Sequence, residues 1–404
     1  MSFLKMMCVA FALLTLSITV VAEDLPDVSD DHYHLRGSLT NSKHVFESTK
    51  RGHVAFIGGS ITEMNGYRPL MSAYLQQQFP ATQFTVTNAG ISSTCSMTGA
   101  YRIQRDVLSK GPVDLLFIEF AVNDDQDAGF DFAHAVRGME GMIAHVRRHN
   151  PHADIIVTHF ANPGMMDRLR KGETPVSMAA HNAVCKHHHI STNDLCSEIT
   201  QLIDTKKTTW AMYGGVHPKP YGNAICQLML VKLLQQGWKK PATKVTPHFQ
   251  AAALLDAKSY VYGHFVSPQK AQRGADWQFS EPAWKEIKGS FRNRFGGAPL
   301  LHGQKPGSEF RFTFEGTFMG AFVLAGPDAG VVEVQVDGGS WRSVNFYHRH
   351  SRGLHYPRTV VFAEDLNAGS HVLTIRISKA TDAQSQGRAI RIMEFAVNGP
   401  PTKD

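Results

Sequence analysis

Charge is scarce in this 404-residue chain: Asp, Glu, Lys and Arg make up 19% of it, and no long run of one sign occurs. The formal net charge of +6 is scattered along the whole length. A nucleic-acid-binding domain concentrates its basic residues in a stripe. Here the short clusters Arg147-Arg148 and Lys239-Lys240 instead close candidate helices, where cations suit the negative end of the dipole. No nucleic-acid partner is therefore expected. There is no Cys-x-x-Cys pair, which argues against a zinc ribbon or a thioredoxin-like redox site. The absence of His-Glu-x-x-His, a phosphate-binding P-loop and a Gly-x-Ser-x-Gly elbow counts against zincins, P-loop NTPases and typical α/β-hydrolases. Internal repeats and low-complexity tracts are missing too, while 43% hydrophobic residues allow a large core. The length favours two domains.

The longest uncharged apolar run is Met6 to Ala22, preceded by Lys5 and followed by Glu23-Asp24. It falls slightly short of the roughly 20 residues a spanning helix prefers, and Val20-Val21-Ala22 has the form of a cleavage site. Residues 1–22 are read as a signal peptide, cleaved after Ala22, with Cys8 too early for a lipoprotein cysteine. The expected location is secreted or periplasmic, without stable membrane insertion after cleavage. Cys95, Cys185, Cys196 and Cys226 remain, an even number in an oxidising compartment, so one or two disulfides are expected.

From His53 onward, apolar runs at 53–57, 84–87, 114–120, 154–160 and 189–195 alternate with candidate helices at 67–78, 98–109, 132–149, 175–188 and 221–236. The third helix is the clearest: Phe132, Val136, Met139, Ile143 and Val146 recur at three- and four-residue steps, and Asn150-Pro151 stops it. This alternation predicts a mainly parallel sheet in a three-layer α/β domain. Ligands of such sheets bind beyond the carboxyl ends of the strands. After Trp238, polar residues with Pro241 and Pro247 end the helical periodicity. Beyond them, runs at 309–316, 320–326, 331–339, 371–378 and 390–399 alternate with period two between Gly, Asp and Asn turns, which predicts an antiparallel sandwich or jelly roll.

Three loops share the carboxyl edge of the predicted sheet. The first strand ends in Gly58-Gly59-Ser60-Ile61-Thr62, the second in Asn88-Ala89-Gly90-Ile91-Ser92, and the third in Glu119-Phe120-Ala121-Val122-Asn123-Asp124-Asp125. A glycine-rich turn can present a nucleophilic serine, bind a phosphate or simply pack closely. The N–H groups of Ser60 and Gly90 with the Asn123 amide have the donor chemistry of an oxyanion hole; Gly90 as a turn and Asn123 as a cap are the plainer alternatives. His217, on the Gly/Pro-fixed loop Gly214-Gly215-Val216-His217-Pro218, lies at the same edge, where an imidazole can take and return a serine proton.

In their order, Gly58-Gly59-Ser60-Ile61-Thr62, Gly90, Asn123 and Val216-His217-Pro218 resemble the four blocks of the SGNH (GDSL-like) hydrolase superfamily over roughly residues 50–238. The resemblance implies a flavodoxin-like sheet, Ser60 as nucleophile, His217 as base, and Ser60, Gly90 and Asn123 as oxyanion donors. The chain departs from the family pattern at Gly59, where Asp is frequent, and at Gly214, where the triad Asp usually stands. Either a backbone carbonyl near Trp210–Gly214 orients His217, giving a Ser–His dyad, or a carboxylate such as Asp124 or Asp194 substitutes.

The domain plan is then a 23–48 N-terminal segment, an SGNH domain over 49–240 and an all-β accessory domain over 250–400. The stretch 345–358, rich in aromatics, His and Arg, suits sugar rings; His355, Tyr356 and Arg358 are its candidate substrate-binding residues, with an ordinary exposed loop as the alternative. No metal or cofactor is expected. In the run His187-His188-His189, adjacent side chains point about 100° apart and cannot all face one ion, so it reads as a solvated helix end. The combination resembles carbohydrate esterases that deacetylate polysaccharides. A GDSL lipase or general acylesterase is the nearest alternative, and a non-catalytic carbohydrate-binding protein the alternative from another class.

Overall fold

In the computed structural model, residues 25–241 and 243–400 are described, and the signal segment expected over 1–22 lies outside them. Among the described residues no helix is long and apolar enough to cross a membrane. The first half runs β1 (Tyr33–His34), α1 (Thr40–Thr49), β2 (Arg51–Gly58), α2 (Ser60–Glu63), α3 (Tyr67–Gln78), β3 (Gln83–Gly90), α4 (Ser96–Asp106), β4 (Leu115–Glu119), α5 (Phe132–His149), β5 (Asp154–Thr158), α6 (Pro163–Arg170), α7 (Val176–His187), β6 (Ser191–Asn193), α8 (Leu195–Asp204), α9 (Trp210–Tyr213) and α10 (Pro220–Gly237). The sheet order is β1-β6-β5-β4-β2-β3, parallel except for the β1 edge.

The central strands are apolar on both faces because helices cover both. Val54 and Phe56 pack with Phe46, Met71 and Leu233 on one side. Ala55 and Ile57 pack with Ile103, Met139 and Val184 on the other. The chain leaves β2 for β3 on one flank, then crosses to β4 on the other. The loops after β2 and β4 therefore diverge and open the crevice in which such sheets bind ligands. This is the flavodoxin-like arrangement.

Helix α5 starts where the Asp131 side chain accepts the His134 N–H and ends where Asn150 precedes Pro151. Its buried stripe includes Val136, Met139, Ile143 and Val146, but Phe132, expected in that stripe, is 47% exposed at the first turn. The four expected disulfide cysteines are free and buried. Cys95 and Cys185 pack in the core on one side of the sheet, Cys196 and Cys226 in the core on the other, each as a small apolar side chain.

The second half contains β7 (Gly263–Val266), β8 (Gln272–Arg273), β9 (Gln278–Ser280), β10 (Leu300–Gly303), β11 (Glu309–Glu315), β12 (Phe318–Ala325), β13 (Val331–Val336), β14 (Arg342–Asn345), β15 (Tyr356–Ala363), β16 (Ser370–Ile377) and β17 (Ile390–Asn398). They form two antiparallel sheets, β15-β12-β17-β10-β9 with β7 on β17, and β14-β13-β16-β11-β8. In β11, Phe310, Phe312 and Phe314 face the sandwich core while Glu309, Arg311 and Thr313 face outward. Strand β12 is buried on both faces. Its outer residues explain this: Phe318 stacks on Tyr101 of α4, and Phe322 packs with Ile91 beyond β3. The sandwich is thus docked on the α/β half through an apolar seam that runs along α4 and reaches Ile91 beyond β3.

The segment between the halves is tied down by polar side chains. Asn41 holds both the N–H and the carbonyl of Thr246, and Asp154 meets His248 at 2.8 Å. Glu140 accepts from the N–H groups of Leu255 and Asp256 and from the Ser259 hydroxyl.

Candidate active site

Ser60 stands where β2 breaks into α2, and its Oγ lies 2.7 Å from His217 Nε2. Beneath this turn the buried carboxyl of Glu119, the last residue of β4, accepts from the Gly59 N–H at 3.3 Å and the Thr62 hydroxyl at 3.2 Å. Burial pushes that carboxyl up to about 7. From α4, the fully buried Arg102 donates to the Gly58 carbonyl at 3.0 Å and the Ala89 carbonyl at 2.6 Å, so one guanidinium ties the ends of β2 and β3 together. Burial lowers this arginine to about 10, opposed by the nearby Asp106 carboxylate. Neither Glu119 nor Arg102 is legible as a site residue in the sequence, because both act from within elements whose pattern reads as core.

Gly59 and Gly214, the two departures from the family pattern, have steric causes. A Cβ at Gly59 would lie 2.1 Å from Asn123 Oδ1. Gly214 has φ +111°, and a Cβ there would lie 2.2 Å from the Lys219 backbone nitrogen. The Lys219 N–H is bonded to the Tyr213 carbonyl, so the loop closes on itself where the family carries its acid.

None of the three candidates for orienting His217 does so. Asp124 is buried against His181 Nε2 at 2.9 Å and the Ser96 N–H at 2.8 Å. Asp194 caps α8 through Ser197. The carbonyls of Trp210 and Tyr213 accept from Gly214 and Lys219. Among the described residues, Ser60 is the hydrogen-bond partner of His217, and its Nδ1 has none.

The expected oxyanion donors are placed unequally. Asn123 opens a π-helical turn over Asn123–Ala128, and its buried Nδ2 donates to Asp127 Oδ2 at 2.7 Å, leaving the second amide hydrogen free. Gly90 has its N–H directed to Asn88 Oδ1 at 3.0 Å and its α-carbon pressed under Thr62 and Glu63. It is therefore a packing position and its own side-chain-capped turn, not a free donor. Three residues on, Ser93 holds φ +72°, a left-handed conformation uncommon for a non-glycine residue. No glycine marks that position in the sequence, so the turn was invisible there.

Ser60, Ser92, Ser93 and His217 line a cleft of about 470 Å³ whose opposite wall comes from the sandwich: Arg292, His350, Leu354 and Tyr356. A larger cavity of about 680 Å³ lies wholly in the sandwich, among Asp276, His302, Asp328 and Arg391, away from the serine. Of the three expected substrate-binding residues, Tyr356 lines the cleft; its hydroxyl donates to the Ser93 carbonyl at 3.4 Å and its ring stacks on His348 at 4.4 Å. His355 is fully buried between Trp284 and the Lys288 carbonyl, and burial lowers it to about 4. Arg358 points to the Tyr347 carbonyl at 3.4 Å. Adjacent side chains of an extended chain point to opposite sides, which separates His355 from Tyr356; Arg358, two residues on, shares the Tyr356 face of β15 but turns to the Tyr347 carbonyl.

For a metal, the nearest arrangement is Glu140, His187 and His188, whose ligand atoms lie within 4.8 Å of one another. Those atoms are already engaged: His188 with Glu140 at 2.8 Å, His187 with the Ala253 carbonyl at 2.8 Å. The histidine run is thus no solvated helix end: His188 is buried against Glu140, and His187 reaches Ala253 in the segment between the halves.

Residues 56–225 match the GDSL-like lipase/acylhydrolase family. This stretch is a GDSL-like acylhydrolase domain. Its presence makes the protein a carboxylic ester hydrolase. No curated protein matches the sequence. Among solved structures, the chain is similar to a two-domain esterase (CEX) active on acetylated mannans, co-crystallised with mannopentaose, at 18% identity and a TM-score of 0.74, covering 94% of this chain and 100% of that one. A second structure of a two-domain esterase of the same description matches at 19% identity and a TM-score of 0.72, covering 93% of this chain and all of that one. The GDSL-like domain and sandwich therefore share the two-domain fold of that esterase.

Proposed function

We propose that the protein is an exported carbohydrate O-acetylesterase working through a Ser60–His217 dyad. The observation that carries this reading is the 2.7 Å Ser60–His217 contact in a cleft walled by both halves of the chain. His217 Nε2 takes the Ser60 proton as Oγ attacks the acetyl carbonyl, and the imidazolium returns it to the departing sugar oxygen. Water then attacks the acetyl-serine with the same base, releasing acetate. With no carboxylate on Nδ1 among the described residues, the ring is placed by its bond to Ser60 and by the loop closed at Gly214.

The cleft chemistry supports a short acyl group on a polar carrier. Ser92, Ser93, Gln126, Asp127, Arg292 and His350 offer donors and acceptors to hydroxyls, and Tyr356 offers a ring. A long acyl chain would need an apolar groove instead. The two-domain esterase of like fold is active on acetylated mannans, which makes acetylated mannan the first polymer to try. The test is acetate release from acetylated mannan and acetylated xylan, beside a p-nitrophenyl ester series from acetate to octanoate. Polymer deacetylation with activity falling along the series supports the reading. Higher activity on octanoate with no acetate released assigns a general acylesterase instead.

A further inference from the structure

The turn after β3 faces Ser60, and the sandwich supplies much of what holds it. Arg292 donates to the Ser92 carbonyl at 3.1 Å through Nη1 and to the Ser93 hydroxyl at 2.9 Å through Nη2. Tyr356 donates to the Ser93 carbonyl, and Arg294 bridges the Gly90 carbonyl at 2.9 Å and Glu63 Oε1 at 2.8 Å. From the α/β half, Glu63 Oε2 accepts the Ser92 N–H at 2.8 Å and also the Ser92 hydroxyl. Every bond to the turn itself takes a carbonyl, a hydroxyl or the Ser92 N–H. The Ser93 N–H meets no acceptor among the described residues, while the Gly90 N–H is spent on Asn88.

A serine at φ +72° persists only where its surroundings over-determine it. We propose that Arg292 is a positioning residue for ester hydrolysis: from the sandwich it holds Ser93 in the left-handed conformation, so that the Ser93 N–H, not that of Gly90, serves the oxyanion beside Ser60 and Asn123. The inference rests on the serine-esterase reading above. Its consequence is that the accessory half takes part in the chemistry of the smallest ester, with no sugar to grip. A module that merely recognises glycan would leave p-nitrophenyl acetate untouched.

The experiment uses the full chain and p-nitrophenyl acetate. Arg292→Ala should lower kcat by about 10²-fold, the usual cost of one oxyanion donor, with KM changed less than about threefold. Arg292→Lys, which keeps the charge but not the fork, should fall between the two. Glycine adopts positive φ without the side-chain penalty. Adding Ser93→Gly to Arg292→Ala should therefore recover about tenfold or more of the lost kcat. Wild-type kcat in Arg292→Ala overturns the proposal, as does a double variant no faster than the single one. If Arg292→Ala does not fold, Arg292→Lys decides, since wild-type kcat there overturns the proposal equally. Ser60→Ala in the same assay separates the two readings: full activity there sinks the esterase itself, whereas an inactive Ser60→Ala beside an unimpaired Arg292→Ala sinks this inference alone.

Discussion

Ser60 rises from a turn held on every side by buried groups, with Glu119 beneath Gly59 and Thr62, Arg102 on the Gly58 carbonyl, and Gly90 pressed against Glu63. His217 sits exposed on a loop and, among the described residues, touches one polar partner, Ser60 itself. On the proposed reading, the nucleophile is fixed by core packing, and the base by its loop backbone and its bond to Ser60. Precision on the side where charge develops matters most, because preorganised donors there need no rearrangement during reaction. A base whose ring is already set by the nucleophile can do without a third member.

Removing the weakly supported partner should have the largest effect. His217→Ala is expected to lower kcat on p-nitrophenyl acetate by about 10⁴-fold or more while the melting temperature stays within a few degrees, since an exposed loop side chain contributes little to stability. Retained activity would mean that another group serves as base. Asn123→Ala comes next, at about 10²–10³ in kcat. A change confined to KM would move Asn123 from the oxyanion to substrate binding.

Glu119 sharpens the contrast from below. Its carboxyl, near 4.5 in an unfolded chain, is raised to about 7 by burial. The folded state therefore holds this proton more tightly, so the stability it contributes is full below about pH 4.5 and is lost as pH rises through about 7. Glu119→Gln cannot ionise. The melting-temperature difference between variant and wild type should shift in the variant's favour from pH 5 to pH 8, and a difference flat across that range contradicts the assignment. The smallest effect is expected at Asp194. Because it caps α8 rather than serving His217, and Asn caps nearly as well, Asp194→Asn should keep kcat within about threefold, against about 10⁴ for loss of a true triad acid.

The mainly parallel sheet and the Ser60 and His217 loops were legible because apolar strands alternate with amphipathic helices, whereas the flavodoxin-like arrangement followed only from the family resemblance. The long strands of the sandwich were legible from period-two runs such as Phe310, Phe312 and Phe314. Short pieces were not: β7 to β10 span two to four residues each, too few for a period. Strand β15 hid behind Pro357, which is tolerated there because β15 is an edge strand pairing with β12 alone in its sheet. Distance along the chain hid the rest. Nothing near Arg292 in sequence reveals that it reaches Ser93, and nothing near Gly90 reveals that Asn88 takes its N–H.

The central claim, that Ser60 is the nucleophile of an acyl-enzyme mechanism, is tested most directly by mass spectrometry after treatment with a p-nitrophenyl phosphonate, which transfers one phosphonyl group to an activated serine. The account predicts a single adduct on the peptide carrying Ser60, concurrent loss of acetate release from acetylated mannan, and neither adduct nor activity in Ser60→Ala. An adduct on another residue, or acetate release by Ser60→Ala at the wild-type rate, would contradict it.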